Sequence, residues 1–357
     1  MRELTARAVA ARSLKAALVA ASVFTAAGLF ASTAWSAPKD IKWGTGPAGS
    51  SGGKALVVLA NIINKAMPEF RITVLPYPGA VGTVKAFATG ELDGYYGSDV
   101  AMKEFATDSG RFKGFKSKVK VTPVQSLWCY TLDVGVAIKA SDMGTIKSWA
   151  DLTGKPVFTG PAPFDTRKHL ENALHAVGVK HNYTEVALST AGSQLNNGTI
   201  KAMIIYAAGG KTPPSWLSQA SLAVDWAALN PTAKELAELK EKGFGIEQVP
   251  AASFGKQDHH VKTITLLPFY WGFDLGMNIS TDEMFKMLNV IDKHADELAK
   301  LDPSFRQIGG GKMAEFEHKA LESTWKLVPI HPGLAKYLKS KNMWDSKWDS
   351  NVAKAKM

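Results

Sequence analysis

Residues 43–60, WGTGPAGSSGGKALVVLA, satisfy three chemical patterns at once, and each pattern demands partners from the rest of the chain. Gly44-x-Gly46-x-x-Gly49 fits the dinucleotide pattern GxGxxG, and Gly49-x-Ser51-x-Gly53 fits the nucleophile elbow of serine hydrolases. Gly53-Lys54 resembles the end of a P-loop. A dinucleotide site needs an acidic residue about twenty positions on, at the end of the second strand, to hold the ribose. Here that strand ends Leu75-Pro-Tyr77-Pro-Gly79, with nothing acidic. A P-loop needs GxxxxGK followed by Ser or Thr; Ala48 and Ala55 stand at the first-glycine and hydroxyl positions, which excludes it. The elbow does keep its strand–turn–helix context. A secreted serine hydrolase using Ser51 therefore stays as the alternative. Against it stand the early place of Ser51 in the chain and the lack of a partner histidine: His331 starts a helical stretch and His259-His260 lie in a turn.

Simpler physics accounts for the same glycines. Backbone N–H groups at a helix start, with the macrodipole behind them, attract an anion. Gly49, Ser50, Ser51, Gly52 and Gly53 open one helical run, and the serines add hydroxyls. Tyr77, Gly79 and Thr83 surround a second start in YPGAVGT; Phe164, Asp165 and Thr166 form a third in GPAPFDT; Ser193 belongs to a fourth in STAGS. Lys54 and Arg167 fall in the first turns of the first and third helices, where a cation opposes the dipole. That local conflict points to an anion between them, and the expectation is a charge clamp. Tyr206, Tyr270 and Trp271 fall at strand ends, as cleft walls or core; Tyr206 and Tyr270 are counted with the site. Asp258-His259-His260 are adjacent polar-loop residues that read as solvated rather than metal-binding, and no cofactor or metal is expected. The single cysteine, Cys129, cannot form an internal disulfide and reads as a small buried hydrophobe.

The elements that must position these residues follow from length and pattern. Arg2, Arg7, Arg12 and Lys15 precede an uncharged apolar run over 16–32, and small residues before Ala34 or Ala37 suit cleavage. That is the layout of a secretory signal peptide over 1–37, and it places the mature chain in the periplasm. Removing it takes away four bases and one acid, so the net charge falls from +10 to +7. The remaining lysines are scattered among acids without an arginine stripe, which argues against a nucleic-acid partner. About 320 mature residues exceed the size at which one core keeps growing, so two domains are expected.

Strand and helix patterns alternate from IKWGTG to GYYGSDVA, and again from PVFTG to AMIIYAAGG, arguing for an α/β fold. Extended crossings are expected near 128–134 and 264–272. The boundaries that follow are lobe I over 38–130 and 272–357, and lobe II over 131–271.

With these residues in place, the chain resembles the TAXI-type solute-binding proteins of tripartite ATP-independent periplasmic (TRAP) transporters. Four segments carry the likeness: IKWGTGPAGSSGG; GELDGYYGSDVA, through Gly90, Glu91, Asp93, Ser98 and Asp99; SWADLTGKPVFTG, through Asp151, Leu152, Gly154, Lys155 and Val157; and VPIHPGLAKYLKSKNMW. The resemblance implies a type II periplasmic binding protein fold with a two-segment hinge. It also implies a non-enzymatic, monomeric receptor that captures a small organic anion, a carboxylate, and delivers it to TRAP membrane permease subunits. A binding protein serving an ABC importer or a sensor is the second alternative. The ligand loops depart from the family: Lys54-Ala55-Leu56 replaces its Thr-Tyr-Tyr run, Gly79-Ala80 and Thr83 replace Gly-Ser and Asn, and Pro163-Phe164-Asp165-Thr166 replaces Gly-Ser-Gly-Thr. The resemblance therefore does not carry over the family's glutamate or 2-oxoglutarate.

Overall fold

A computed structural model describes residues 37–354; the leader expected over 1–37 lies outside them but for its last residue. The described chain opens with β1 (Lys39–Thr45), α1 (Ser51–Ala66), β2 (Phe70–Pro76), α2 (Ala80–Ala88), β3 (Gly94–Ser98) and α3 (Asp99–Ala106). Ile41 and Trp43 alternate inward along β1, and Ala55, Leu56, Leu59, Ile62 and Ile63 make the buried stripe of α1. Those two periods, two and 3.6, are what lay the helix onto the sheet. β1 pairs in parallel with β2 from Lys39↔Phe70 to Thr45↔Pro76, and with β3 at Trp43↔Gly94.

β4 (Trp128–Lys139) leads into a second series: β5 (Pro156–Phe158), α4 (Asp165–Ala176), β6 (Asn182–Tyr183), α5 (Ala191–Asn196) and β7 (Ala202–Ala208). It continues through α6 (Ser215–Ala223), β8 (Trp226–Ala228), α7 (Ala233–Glu241), β9 (Glu247–Pro250) and β10 (Thr263–Leu275). The strands run in the order β2-β1-β3-β10-β4-β7-β5-β6. Read outward from the centre, each half is a β-α-β-α-β run of parallel strands closed by one antiparallel strand, β10 for the first half and β4 for the second. This is the two-lobed, mixed α/β fold of type II that the sequence leads one to expect.

The central pair belongs to both lobes. β10 pairs first with β9 (Thr263↔Pro250), then with β4 from Leu267↔Val134, with a register shift between Trp271 and Gly272, and with β3 from Trp271↔Ser98 to Leu275↔Gly94. β4 pairs with β10 at its start and with β7 from Leu132↔Ala208 to Ile138↔Ala202. Two buried carboxylates tie the start of β4 down. Asp274 Oδ1 accepts from the N–H groups of Ser126 (2.6 Å) and Leu127 (3.2 Å), and Glu317 Oε1 accepts from Trp128 N–H (2.8 Å). Burial pushes the Asp274 carboxyl up to about 7, against the pull of those hydrogen bonds.

After β10 the chain forms α8 (Thr281–Lys293), α9 (Ala295–Leu301), α10 (Met313–Thr324) and α11 (Pro332–Ser340). These return to the first lobe. Ser280 and Glu283 make a capping box on α8, and Glu283 also pairs with Lys39 of β1 at 3.0 Å. His331 N–H donates to Gln125 O just ahead of β4. No described helix is long and apolar enough to cross a membrane.

Candidate functional site

Three helix starts meet at one place, two from the first lobe and one from the second. At α1, Ser50 is extended (φ −76°, ψ 159°); its Oγ accepts from Gly53 N–H (3.1 Å) and donates to Pro47 O (2.7 Å). The Ser50 hydroxyl is thus occupied in shaping the turn, which leaves the first-turn N–H groups of Ser51 and Gly52 without an intrahelical acceptor. Gly52 permits the approach: a Cβ there would stand 2.4 Å from the Tyr96 ring. α2 starts after Gly79 and α4 after Phe164, and neither start has a side-chain cap. Their first N–H groups are likewise unclaimed within the helix.

Ser51, Gly52, Gly79, Ala80, Asp165 and Thr166 line the cavity between these starts, and Tyr96, Leu132, Tyr206 and Trp271 close it. It measures about 30 Å³. A water needs roughly 10–15 Å³ on this measure, so the space suits about two or three small heavy atoms. Two of its buried donors lack a protein partner: Thr166 Oγ1 and Trp271 Nε1. Such orphans are uncommon in folded proteins and call for a ligand or another acceptor. Tyr206 Oη accepts from Trp216 Nε1 at 3.1 Å, which leaves its own O–H to donate. Burial pushes that phenol up to about 12, so it keeps its proton at neutral pH. Tyr96 stacks on Trp271 with centroids 4.4 Å apart, fixing the indole at the cavity wall. Pro47, Ser50, Phe164 and Tyr206 also border a second, outer cavity of about 460 Å³.

Asp165 is fully buried yet held in an ionic network from the other lobe. Its Oδ2 accepts from Ser98 Oγ and its Oδ1 from Arg111 Nη1, each at 2.5 Å, while Arg111 Nε donates to Glu104 Oε2 at 2.6 Å. Ser98 Oγ also accepts from Ala101 N–H (3.1 Å), capping α3. The carboxylate that borders the cavity is therefore already paired. Neither cavity is lined by lysine or arginine.

Several expected residues lie elsewhere, and the charge clamp is corrected. Lys54 is on the exposed face of α1. Arg167 turns outward: Nε donates to Glu171 Oε1 at 2.9 Å, and the guanidinium sits 3.6 Å from the centre of the Tyr183 ring. Arg167, one residue past cavity-lining Thr166, points about 100° away from it, and Lys54, two residues past Gly52, about 200°. Thr83 is buried beneath α2, its Oγ1 within 2.6 Å of Tyr96 O and 2.7 Å of Ala80 O. Tyr270 follows strand alternation to the face opposite Trp271, against Trp128 and Phe316. Ser193 is exposed on α5, and Tyr77 and Gly53 stand beside the loops without lining either cavity. Gly49 borders the outer cavity, and Ser98 acts through Asp165.

For the hydrolase alternative, the histidines weighed as a base for Ser51 are engaged elsewhere, and Asp165, the carboxylate that shares its cavity, is paired with Ser98 and Arg111. His331 Nδ1 accepts from Gly333 N–H and Nε2 donates to Ile279 O, both at 3.0 Å. His259 is buried against Trp226, with ring centroids 3.8 Å apart, and His260 pairs with Asp225. No group of three His, Cys, Asp or Glu side chains among the described residues is placed to hold a metal. Cys129 is buried and free.

Sequence reasoning overlooked Tyr96, Leu132, Ala80 and Arg111. Leu132 and Tyr96 read as ordinary strand residues. Arg111 lies in RFKGFKSKVK, which reads as a solvated basic loop, and nothing local marks its partner 54 residues on.

In fold, the chain is similar to the periplasmic aliphatic sulphonate binding protein SsuA from Escherichia coli, at 15% identity over 85% of this chain and 79% of that one, TM-score 0.46. It is similar to the alkanesulfonate-binding protein SsuA from Xanthomonas axonopodis pv. citri bound to MOPS, at 13% identity over 86% and 92%, TM-score 0.43. A putative L-cystine ABC transporter protein from Listeria monocytogenes matches at 14% identity over 75% and 95%, TM-score 0.43. No curated protein matches the chain in sequence. A family model does, over residues 44–341, and the chain belongs to the NMT1-like family.

Proposed function

We propose that the protein is a periplasmic solute-binding receptor that captures a small organic carboxylate in the cleft between its lobes and hands it to a TRAP membrane permease. The observation that carries this reading is the convergence of three helix starts from both lobes on one cavity holding two orphan donors, Thr166 Oγ1 and Trp271 Nε1. Helix dipoles and N–H groups can hold a carboxylate without a counter-ion. Closing two lobes over it replaces the hydration that a buried anion loses. The four family-like segments support the TRAP assignment, and the basic, apolar leader supports export. Ser51 contributes its backbone N–H, not a nucleophile.

Calorimetry on the purified chain against a panel of monocarboxylates tests the receptor, and a carboxylate-free binding profile would sink it. A fluorophosphonate probe should leave Ser51 unlabelled. In proteoliposomes carrying TRAP membrane subunits, uptake should follow an ion gradient and ignore ATP. Uptake only through an ATP-hydrolysing permease would assign the chain to an ABC importer instead.

A further inference from the structure

The inner and outer cavities differ in chemistry, and together they define a class of ligand within the carboxylate reading, on which this step rests. The buried side-chain donors left without a partner, Thr166 Oγ1 and Trp271 Nε1, lie inside beside the first N–H groups of three helices, whereas the polar groups of Ser189, Ser215 and Gln219 that line the outer cavity are exposed to water. The inner volume of about 30 Å³ suits a carboxylate head and little more. The outer volume of about 460 Å³ is large enough for a small-molecule body. Its walls include Phe164, Val186, Leu188 and Trp216, and Phe164 and Tyr206 border both spaces. The one charged residue lining the outer space is an acid, Glu185, which is exposed and in contact with the Tyr183 hydroxyl.

We propose that the cleft selects monocarboxylates with an uncharged, largely apolar body: the head enters the inner cavity and the body fills the outer one. A second carboxylate at the far end would face Glu185 with no cation in either wall to offset it. Like-charge juxtaposition of this kind is how binding sites reject a close analogue. An apolar body in contact with Phe164 and Trp216 gains from leaving water instead.

The test compares hexanoate with adipate, which has the same carbon chain and a second carboxylate, and with acetate, which lacks the body. On the full chain, calorimetry should give hexanoate at least tenfold tighter binding than either. Glu185→Lys should narrow the hexanoate-to-adipate ratio by tenfold or more, while Glu185→Gln narrows it less. Adipate binding within threefold of hexanoate, or acetate binding equal to it, would overturn the selection while leaving a carboxylate receptor standing. If none of the three acids binds, the carboxylate reading itself fails and takes this inference with it. Hexanamide binding as well as hexanoate would do the same, because the head would then need no charge.

Discussion

Ser98 Oγ of the first lobe donates to Asp165 Oδ2 of the second at 2.5 Å, across 67 residues of chain. Arg111 completes the contact on Asp165 Oδ1. Asp165 is wholly buried while the Arg111 side chain is about one-fifth exposed, so the pair lies at the cleft's edge and spans it. Removing one partner of such a pair leaves an uncompensated charge, which is costlier than losing a surface bridge. Arg111→Met should lower unfolding free energy by about 2 to 4 kcal/mol in urea. Asp165→Asn keeps a hydrogen-bonding side chain beside Ser98 and should cost less. Equal losses for the two variants would mean that the charge of Asp165 is not what the network holds.

The orphan hydroxyl of Thr166 separates binding from stability. Its Oγ1 has no protein partner, so Thr166→Val removes nothing the fold uses. Replacing a buried unpaired hydroxyl by a methyl is neutral to stabilising. Binding of a carboxylate should nevertheless fall about tenfold, the value of one hydrogen bond to a charged group at roughly 1.5 kcal/mol. Melting curves and calorimetry on the same preparation decide it. A variant that loses stability and keeps its affinity would place the hydroxyl in the fold rather than in the site.

Lys54 and Arg167 should now behave unlike a clamp. Lys54→Ala changes neither affinity nor stability appreciably, because an exposed side chain without a partner contributes within about 0.5 kcal/mol. Arg167→Ala loses the Glu171 pair and the stacking on Tyr183, a cost of roughly 1 kcal/mol to folding, with affinity kept. A drop in carboxylate affinity of tenfold or more for Arg167→Ala would restore the clamp.

Where the structure places these residues shows which parts of the site are legible in the sequence. The glycine loops before residues 51, 80 and 165 stand out because a helix start close to other backbone needs small residues, and that need is local. Rotation about a helix is not legible with the same ease: Lys54 and Arg167 sit one or two positions from cavity-lining residues and face away. Parity along β10 decides between Tyr270 and Trp271, and it depends on the pairing Trp271↔Ser98, which no local pattern reveals. The pairing of Asp165 with Ser98 and Arg111 comes from lobe packing alone. The alternation of strands and helices, by contrast, is written in short-range periodicity, so the two α/β series can be read directly.

Asp274 gives the molecule a defined pH response. Its folded carboxyl titrates near 7, above the ordinary value of 3.8, because it is buried. The folded state therefore binds a proton that the unfolded chain has already released between about pH 4 and 7. Stability from this group is full below that window and is lost as pH rises through it. Buried histidines respond in the opposite sense; burial lowers His169 to about 3, so its contribution grows as pH rises towards 6.5. A parent-minus-variant comparison isolates the carboxyl. Asp274→Asn keeps an oxygen for Ser126 and Leu127, and relative to the parent it should gain about 2 to 4 kcal/mol between pH 5 and pH 8. A stability difference independent of pH would show that Asp274 stays ionised in the fold.

Gly79 offers the most direct test of lobe closure. Its φ of 175° is extended backbone that any residue adopts, so an alanine there meets no conformational strain. The obstacle is steric and comes from the other lobe: a Cβ on Gly79 would stand 2.9 Å from Pro163 O, a backbone atom that cannot turn aside. Gly79→Ala should therefore hold the lobes apart rather than weaken either one. Expected are an unfolding midpoint close to the parent's, a larger radius of gyration by small-angle scattering at saturating hexanoate, and affinity reduced by about tenfold or more. The loss arises because the Thr166 and Ser51 sides can no longer reach one carboxylate together, as hinge closure requires. Gly79→Ala with parental affinity and parental radius would mean that the two lobes do not need this approach, and that one lobe's helix starts hold the ligand alone.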